Sequence, residues 1–504
     1  MTSKYNILPG VDPFNSEGFE LNYIENEGEI IEITPRQGFV NQHNIIDSSY
    51  TNRCLIFNRK DRISSPLHKK DGKWYPLSID EAVALIRQKV SIVSPIENAI
   101  FASPESTNEI LYLIQKWARA GVKSNALHSF HYLKDGDIFN QNKNDILPIH
   151  EMMESKQIFV IGSNLQQEHS HIHQLIQKRR NEEKIPTIFI TEIPMSPYQG
   201  ECDNTLLVRD LHTFFYTVNL YIIKNNLQFG IFTNGLALRY EEFLQQMQNE
   251  NLEEYYLRAG VSEEIVKSFV KQVINIPKSA FILSEKSCSA STFLELKNMM
   301  FLTEKQAKSS SGIMLLKRCC NSQGLFDMGF IPQRGAGNRE FDEEYIKILQ
   351  ELWQCESPAT EPHNIFEELK NGIFKNLFIF GENPAQSDSE LFKLARKNAQ
   401  FLCVQAHFMN ETCEMADLIL PQNFALEIGG SYSNCFKAAV NFEAVKASPI
   451  AWNEFHFWTK MHNAFNITPL QNRQEVFLET ISLFAPSCCG GIRHKFSLTK
   501  RPKN

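Results

Sequence analysis

The chain has 504 residues, a formal net charge of −7, 42% hydrophobic residues and 22% charged residues. This is the composition of an ordinary globular protein, with length enough for roughly two to four domains. No basic stripe with interleaved aromatics is present, which excludes nucleic acid as the expected partner.

The start, MTSKYNILPGVDPFNSEG, lacks the apolar core of a signal peptide. Residues 1 to about 50 are polar and irregular and read as an extended arm. In SIDEAVALIRQKVSIV, Ser78 is an N-cap with Glu81 as its box partner, followed by apolar positions at helical spacing. AIFAS, 99–103, reads as a strand, and TNEILYLIQKWARA, 107–120, as a helix capped by Thr107. QIFVIGSN is a further strand, followed by a helix through His173 to Arg180 and the strand TIFIT. The longest apolar stretch, around Phe214 to Ile223, is interrupted by Thr217 and Asn219 and is too short for a bilayer span. Eleven cysteines, an odd number, read as reduced thiols. The expected location is cytoplasmic or at the cytosolic face of a membrane complex, with no direct span. Alternation of strand and helix at this spacing predicts parallel sheets of βαβ units, the doubly wound α/β class.

Two segments resemble each other. VIGSNLQQEHSHIHQL, 160–175, lies over IFGENPAQSDSELFKL, 379–394, so that Gly162 matches Gly381, Asn164 matches Asn383 and Ser170 matches Ser389. With a small slip, Asp203-Asn-Thr-Leu-Leu answers Asp417-Leu-Ile-Leu. The chain thus reads as carrying two copies of one unit: strand, Gly-x-Asn loop, helix, strand, loop, Asp, strand. Ligands of open parallel sheets sit beyond the carboxyl ends of the strands. There glycine admits close backbone approach, Asn both donates and accepts, and Pro384 suits a first helical turn. A helix cap alone would use the same residues. His128 and His131, three apart, and His169-x-His171-x-His173 lack a further ligand at metal spacing, and no metal site is expected. The adjacent pairs Cys319-Cys320 and Cys488-Cys489 read as thiols, and no P-loop, nucleophile elbow or zinc-protease motif occurs.

In family order, five stretches make the chain similar to the molybdopterin oxidoreductases, the family of formate dehydrogenases, periplasmic nitrate reductases and the large iron–sulfur subunit of complex I. They are CLIFNRKDRISSPLHKKDGKWYPLSIDEAVALI, ASPESTNEILYLIQKWARA, GIMLLKRCCNSQGLFDMGFIPQRGAG, LFIFGENPAQSD and FMNETCEMADLILPQNFALEIGGSYSN. The resemblance implies two pseudo-symmetric dinucleotide-binding-like domains gripping two pterin guanine dinucleotides around molybdenum or tungsten. By position Gly162, Ser163, Asn164 and His169 would line one nucleotide, with Glu192 in place of an expected Asp. Gly381, Asn383 and Pro384 would line the other, and Asn321, Gln323 and Gly324 the pterin side. The segmentation expected is an N-terminal arm with a remnant of the cluster entry region (1–73), a first α/β domain (74–150 with 325–445), a second (151–324) and a short C-terminal segment (446–504).

Against the family pattern, residues 1–53 contain no cysteine, and Cys54 alone cannot hold a [4Fe–4S] cluster. The Lys expected after it has only Arg59 or Lys60 as a substitute. The metal-ligand loop reads GVKSNALHSFHYLKDGD, without Cys, leaving Ser129 as the available ligand. Where the family has Asp-Pro-Arg after the second strand this chain has Thr191-Glu192-Ile193-Pro194, and the closing β-barrel is expected to be absent or shortened. The expected function is a scaffold subunit, with protein partners, in an NADH- or formate-dehydrogenase-like electron-transfer complex, lacking its own cluster and metal ligand. The alternative is an active Mo/W bis(pterin guanine dinucleotide) oxidoreductase on a formate-like substrate, with cluster and barrel supplied by other chains.

Overall fold

A computed structural model of the chain describes residues 5–46, 53–140, 145–229, 237–305, 309–484 and 494–499. It divides into two compact units. Unit 1 is Met1–Asn44, Ser48–Asp137 and Cys319–Pro486; unit 2 is Ile45–Asp47, Ile138–Arg318 and Ser487–Asn504.

Unit 1 begins with β1 (Asn6–Val11), β2 (Glu20–Asn26) and β3 (Glu29–Pro35), an antiparallel sheet. This corrects the expectation of an irregular arm. Leu21 and Tyr23 are buried on one face of β2, and the Tyr23 hydroxyl donates to the Val11 carbonyl at 2.7 Å. β4 (Leu67–Lys70) and β5 (Lys73–Pro76) form a hairpin, followed by α1 (Ile79–Ser91), whose Ser78–Glu81 capping box is as expected. β6 (Asn98–Ala102), α2 (Asn108–Lys116), capped by Thr107, and β7 (Leu127–His128) complete this part.

Unit 2 contains β8 (Gln157–Ile161), α3 (Ser170–Glu183), β9 (Thr187–Thr191), β10 (Asn204–Leu207), α4 (Leu211–Lys224), β11 (Ser279–Ser284) and β12 (Gly312–Leu316). The chain then supplies unit 1 with β13 (Asn376–Phe380), α5 (Ser389–Asn398), β14 (Phe401–Ala406), β15 (Leu418–Pro421), the hairpin β16 (Gly430–Ser433) and β17 (Ala439–Phe442), α6 (Glu454–Ala464) and α7 (Arg473–Leu483). Residues 319–324, expected with the second domain, make their contacts in unit 1, because Asn321 bonds Ser106, Asn108 and Ser433.

The unit 2 sheet has the order β10-β9-β8-β11-β12, all parallel. The unit 1 sheet has the order β5-β4-β15-β14-β13-β6-β7, parallel from β15 onward with β4 antiparallel at its side. Stripped of the β4–β5 hairpin, each order is a doubly wound pattern of five parallel strands. The strands beyond β8 come later in the chain, and those beyond β13 come earlier. Strand order therefore reverses beside β8 and beside β13, the places where open α/β sheets carry ligands.

The repeat extends to its fastenings. Asp203 accepts from the Thr187 N–H at 2.9 Å and pairs with Arg180 at 2.8 Å. Asp417 accepts from the Leu402 N–H at 2.8 Å and pairs with Arg396 at 3.1 Å. In each unit one carboxylate tops the second strand and ties it to the preceding helix. No closed barrel occurs among the described residues, and no described helix is long and apolar enough to cross a membrane.

Candidate functional site

β13 is followed by Gly381, whose φ of +78° lies in the left-handed region that favours glycine. The chain turns there into a one-turn helix, Pro384–Ser387, with Pro384 buried at its first position. A Cβ on Gly381 would lie 2.7 Å from Gln422 Nε2 and 3.1 Å from Ser103 Cβ. Gly381→Ala is expected to cost about 1–3 kcal/mol, read by urea denaturation, since strain and crowding act together.

The next two side chains tie this loop to its neighbours. Glu382 is 4% exposed; it accepts from Ser129 Oγ at 2.5 Å and from the Phe130 N–H at 3.1 Å, with His131 Nε2 at 4.0 Å. Burial pushes its carboxyl up to about 8, although these hydrogen bonds favour the charged form. Asn383 donates to Glu411 at 2.7 Å and Gln386 at 3.2 Å, and accepts from Thr412 Oγ1 at 2.7 Å and the Thr412 N–H at 3.2 Å. Its carboxamide is fully used.

Beside Gly381 lies a cavity of about 220 Å³ at the carboxyl ends of β6, β13, β14 and β15. Of the sequence-predicted residues it takes only Gly381; Ser103, Thr107, His407, Asn423, Phe424 and Glu454 are among its walls. His407 stacks on Phe424 with ring centroids 4.0 Å apart. Burial, then the nearby Arg62 charge, drops the His407 imidazole to about 3, and burial lifts the Glu454 carboxyl to about 8. Next to them Arg62 forks onto Glu427 at 2.9 and 3.3 Å and donates to the Gln422 carbonyl at 2.6 Å, both side chains being 1% exposed.

Asn321, Gln323 and Gly324 sit at a short helix, Ser322–Asp327, apart from that cavity. Asn321 Nδ2 donates to the Ser106 carbonyl at 2.7 Å, and its Oδ1 accepts from the Ser433 N–H at 2.7 Å. Gln323 donates to Asp327 at 2.8 Å. A Cβ on Gly324 would meet the side-chain oxygens of Asn321 and Asn108.

In unit 2 the first copy of the loop gathers in the same way. Gly162, φ +65°, has Leu211 Cδ1 2.8 Å and Cys288 Sγ 3.2 Å from where its Cβ would be. Ser163 Oγ accepts from the Ser284 N–H at 2.8 Å, and His169 Nε2 lies 3.2 Å from Ser284 Oγ. Glu192 accepts from the Leu211 N–H at 2.5 Å. Asn164 Oδ1 is buried without a hydrogen-bond partner among the described residues.

Cys54 is buried and burial raises its thiol pKa. Cys319 and Cys320 are buried thiols, whereas Cys488 and Cys489 lie outside the described residues. His128, His169, His171 and His173 are buried, and no group of three or more His, Cys, Asp or Glu suited to a metal occurs among the described residues. Sequence reasoning missed Glu382, His407, Glu454 and the Arg62–Glu427 pair. Only Glu382, beside the singled-out Gly381, carried a local signal.

A family model described as molybdopterin oxidoreductase matches residues 62–195 and 259–454, most of the chain. The chain belongs to the molybdopterin oxidoreductase family. Within it, the F420-dependent formate dehydrogenase 1 subunit alpha of Methanococcus maripaludis is 26% identical over 444 residues, covering 84% of this chain and 64% of that one. Formate dehydrogenase H of Escherichia coli is 24% identical over 466 residues, covering 85% of this chain and 63% of that one. The chain thus spans a little under two thirds of the length of these curated relatives. Among solved structures, acetylene hydratase from Pelobacter acetylenicus superposes with a TM-score of 0.65 at 15% identity, over 94% of this chain and 72% of that one. That likeness supports the fold alone.

Proposed function

We propose that this member of the molybdopterin oxidoreductase family is a scaffold subunit of a cytoplasmic electron-transfer complex of the formate- or NADH-dehydrogenase kind, without its own iron–sulfur cluster or catalytic metal ligand. The observation that carries the reading is the seat of Ser129. It is the one candidate ligand in its loop, yet it is 1% exposed and its hydroxyl is held by the buried Glu382 carboxyl. A serine so placed is a structural tie, with no face open to a metal.

The family implies a pterin guanine dinucleotide. The residues of unit 1 do not fit one: Gln422 crowds Gly381, Asn383 has no donor or acceptor left, and the cavity of about 220 Å³ is below the usual range for a drug-sized ligand. Cys54 has no second cysteine in the 53 residues before it, which supports the reading without a cluster in this segment. The relatives named as subunit alpha support membership of a larger assembly.

One observation favours the second reading, an active Mo/W enzyme on a formate-like substrate whose cluster and barrel come from other chains. Asn164 Oδ1, in the loop after β8, is a buried acceptor without a donor among the described residues, as a nucleotide contact would leave it. The deciding experiment is metal analysis of the chain purified from cells that make the cofactor, with fluorescence of its oxidised pterin. The scaffold reading expects neither molybdenum, tungsten nor pterin; stoichiometric metal and pterin would overturn it in favour of the enzyme.

A further inference from the structure

Two acids and one base line a second cavity of unit 1, of about 290 Å³. The base, Lys437, is already taken, with its Nζ 3.2 Å from Asp327 Oδ1. The other acid, Glu109, stands in the first turn of α2 and is 3% exposed. Its Oε2 accepts from the Ser431 N–H and its Oε1 from Ser431 Oγ, each at 2.9 Å. Both donors are neutral, and no cation acts on Glu109 among the described residues. The amino end of α2 brings about half a unit of positive charge. A carboxylate taken this far out of water calls for a full one, and burial raises the pKa of Glu109 for that reason.

Another part of the wall is hydrocarbon. Phe477 and Ile481 of α7 and Phe484 just beyond it line the cavity, and all three are exposed. A ligand with an apolar body covers these side chains, and an ammonium group on that body supplies the charge that Glu109 lacks. Aromatic rings beside an ammonium favour it further. An anion meets no open cation here, because Asp327 holds Lys437. An uncharged ligand leaves the Glu109 charge as it stands. The volume lies at the lower edge of the usual range for ligand pockets, so the molecule is a small one.

We propose that this cavity binds a small organic cation, a primary amine on an aromatic or branched hydrocarbon body, with Glu109 as its counter-ion and Phe477, Ile481 and Phe484 as its apolar seat. None of the wall residues is among those the family resemblance assigns to a dinucleotide, so the site goes beyond the scaffold reading and does not depend on it.

The test is calorimetric titration of the full chain with 2-phenylethylammonium, 2-phenylethanol and 3-phenylpropionate, which share one body and differ in charge. The expected result is saturable binding of the ammonium compound, roughly tenfold tighter than the alcohol, and no binding of the carboxylate. Glu109→Gln keeps an acceptor for the Ser431 N–H and should bring the ammonium compound down to the level of the alcohol. Phe477→Ala should weaken both. Lys437→Asn should tighten the ammonium compound severalfold by freeing Asp327. Lys437 lies in the turn of the β16–β17 hairpin with φ +56°, a conformation that asparagine tolerates, so this variant tests the charge with the opposite sign even where Glu109→Gln does not fold. Absence of saturation by the ammonium compound, equal binding of ammonium and alcohol, a preference for the carboxylate, or ammonium binding indifferent to Lys437→Asn would each overturn the proposal.

Discussion

Arg62→Met is expected to cost about 3–5 kcal/mol of unfolding free energy, because it strands the Glu427 carboxylate in the interior. The two side chains are each 1% exposed and meet through both guanidinium nitrogens. Arg62 also holds the Gln422 carbonyl and lies over the Phe424 ring at 4.4 Å, so its loss loosens the wall of the strand-end cavity. Glu427 keeps donors in the Phe424 N–H at 3.0 Å and Asn423 Nδ2 at 3.2 Å, which places the cost toward the lower end. Arg62→Met/Glu427→Met should recover most of the loss, since removing both charges removes the stranded one. Urea denaturation reads both variants. A cost below about 1 kcal/mol for the single substitution would mean that water reaches the pair.

The strand–helix alternation and the helix caps are legible because they rest on local rules: Ser78 and Glu81 are three residues apart, and Thr107 caps the helix that follows it. The internal repeat was legible for the same reason, since Gly162 and Gly381 each mark the end of a buried strand. The N-terminal sheet was hidden because β2 buries only Leu21 and Tyr23 among polar residues, too short an alternation to mark a strand. The closed state of the loop after β13 was hidden for a different reason. A glutamate in a loop reads as solvated, and Glu382 is instead buried, with its hydrogen bond coming from Ser129, 253 residues away. The orientation of α7 belongs to the same class: its sequence carries two acids, Glu475 and Glu479, and only Tyr112 and Lys116 reveal that Glu479 turns inward.

Raising the pH from about 5 to about 8 is expected to weaken unit 1 through Glu382 and Glu454. Each carboxyl is fully buried and held near 8 in the folded chain, against about 4.3 for an unfolded glutamate. Between those values the native state keeps a proton that the unfolded state releases. Stability therefore falls as the pH rises, by up to about 1.4 kcal/mol per pH unit for each group, and levels off above the folded value. Glu382→Gln removes one titration while keeping an acceptor for Ser129 and a similar volume. The variant should show a shallower decline than the wild type, and the difference should grow steadily across the window. Glu454→Gln should behave alike, with Gln405, which donates to Glu454 at 3.1 Å, still paired. Equilibrium urea curves at several pH values read the slopes. If wild type and Glu382→Gln run parallel, Glu382 is ionised in the native protein, and the loop after β13 is then an open, hydrated one in which Ser129 is free to face a ligand.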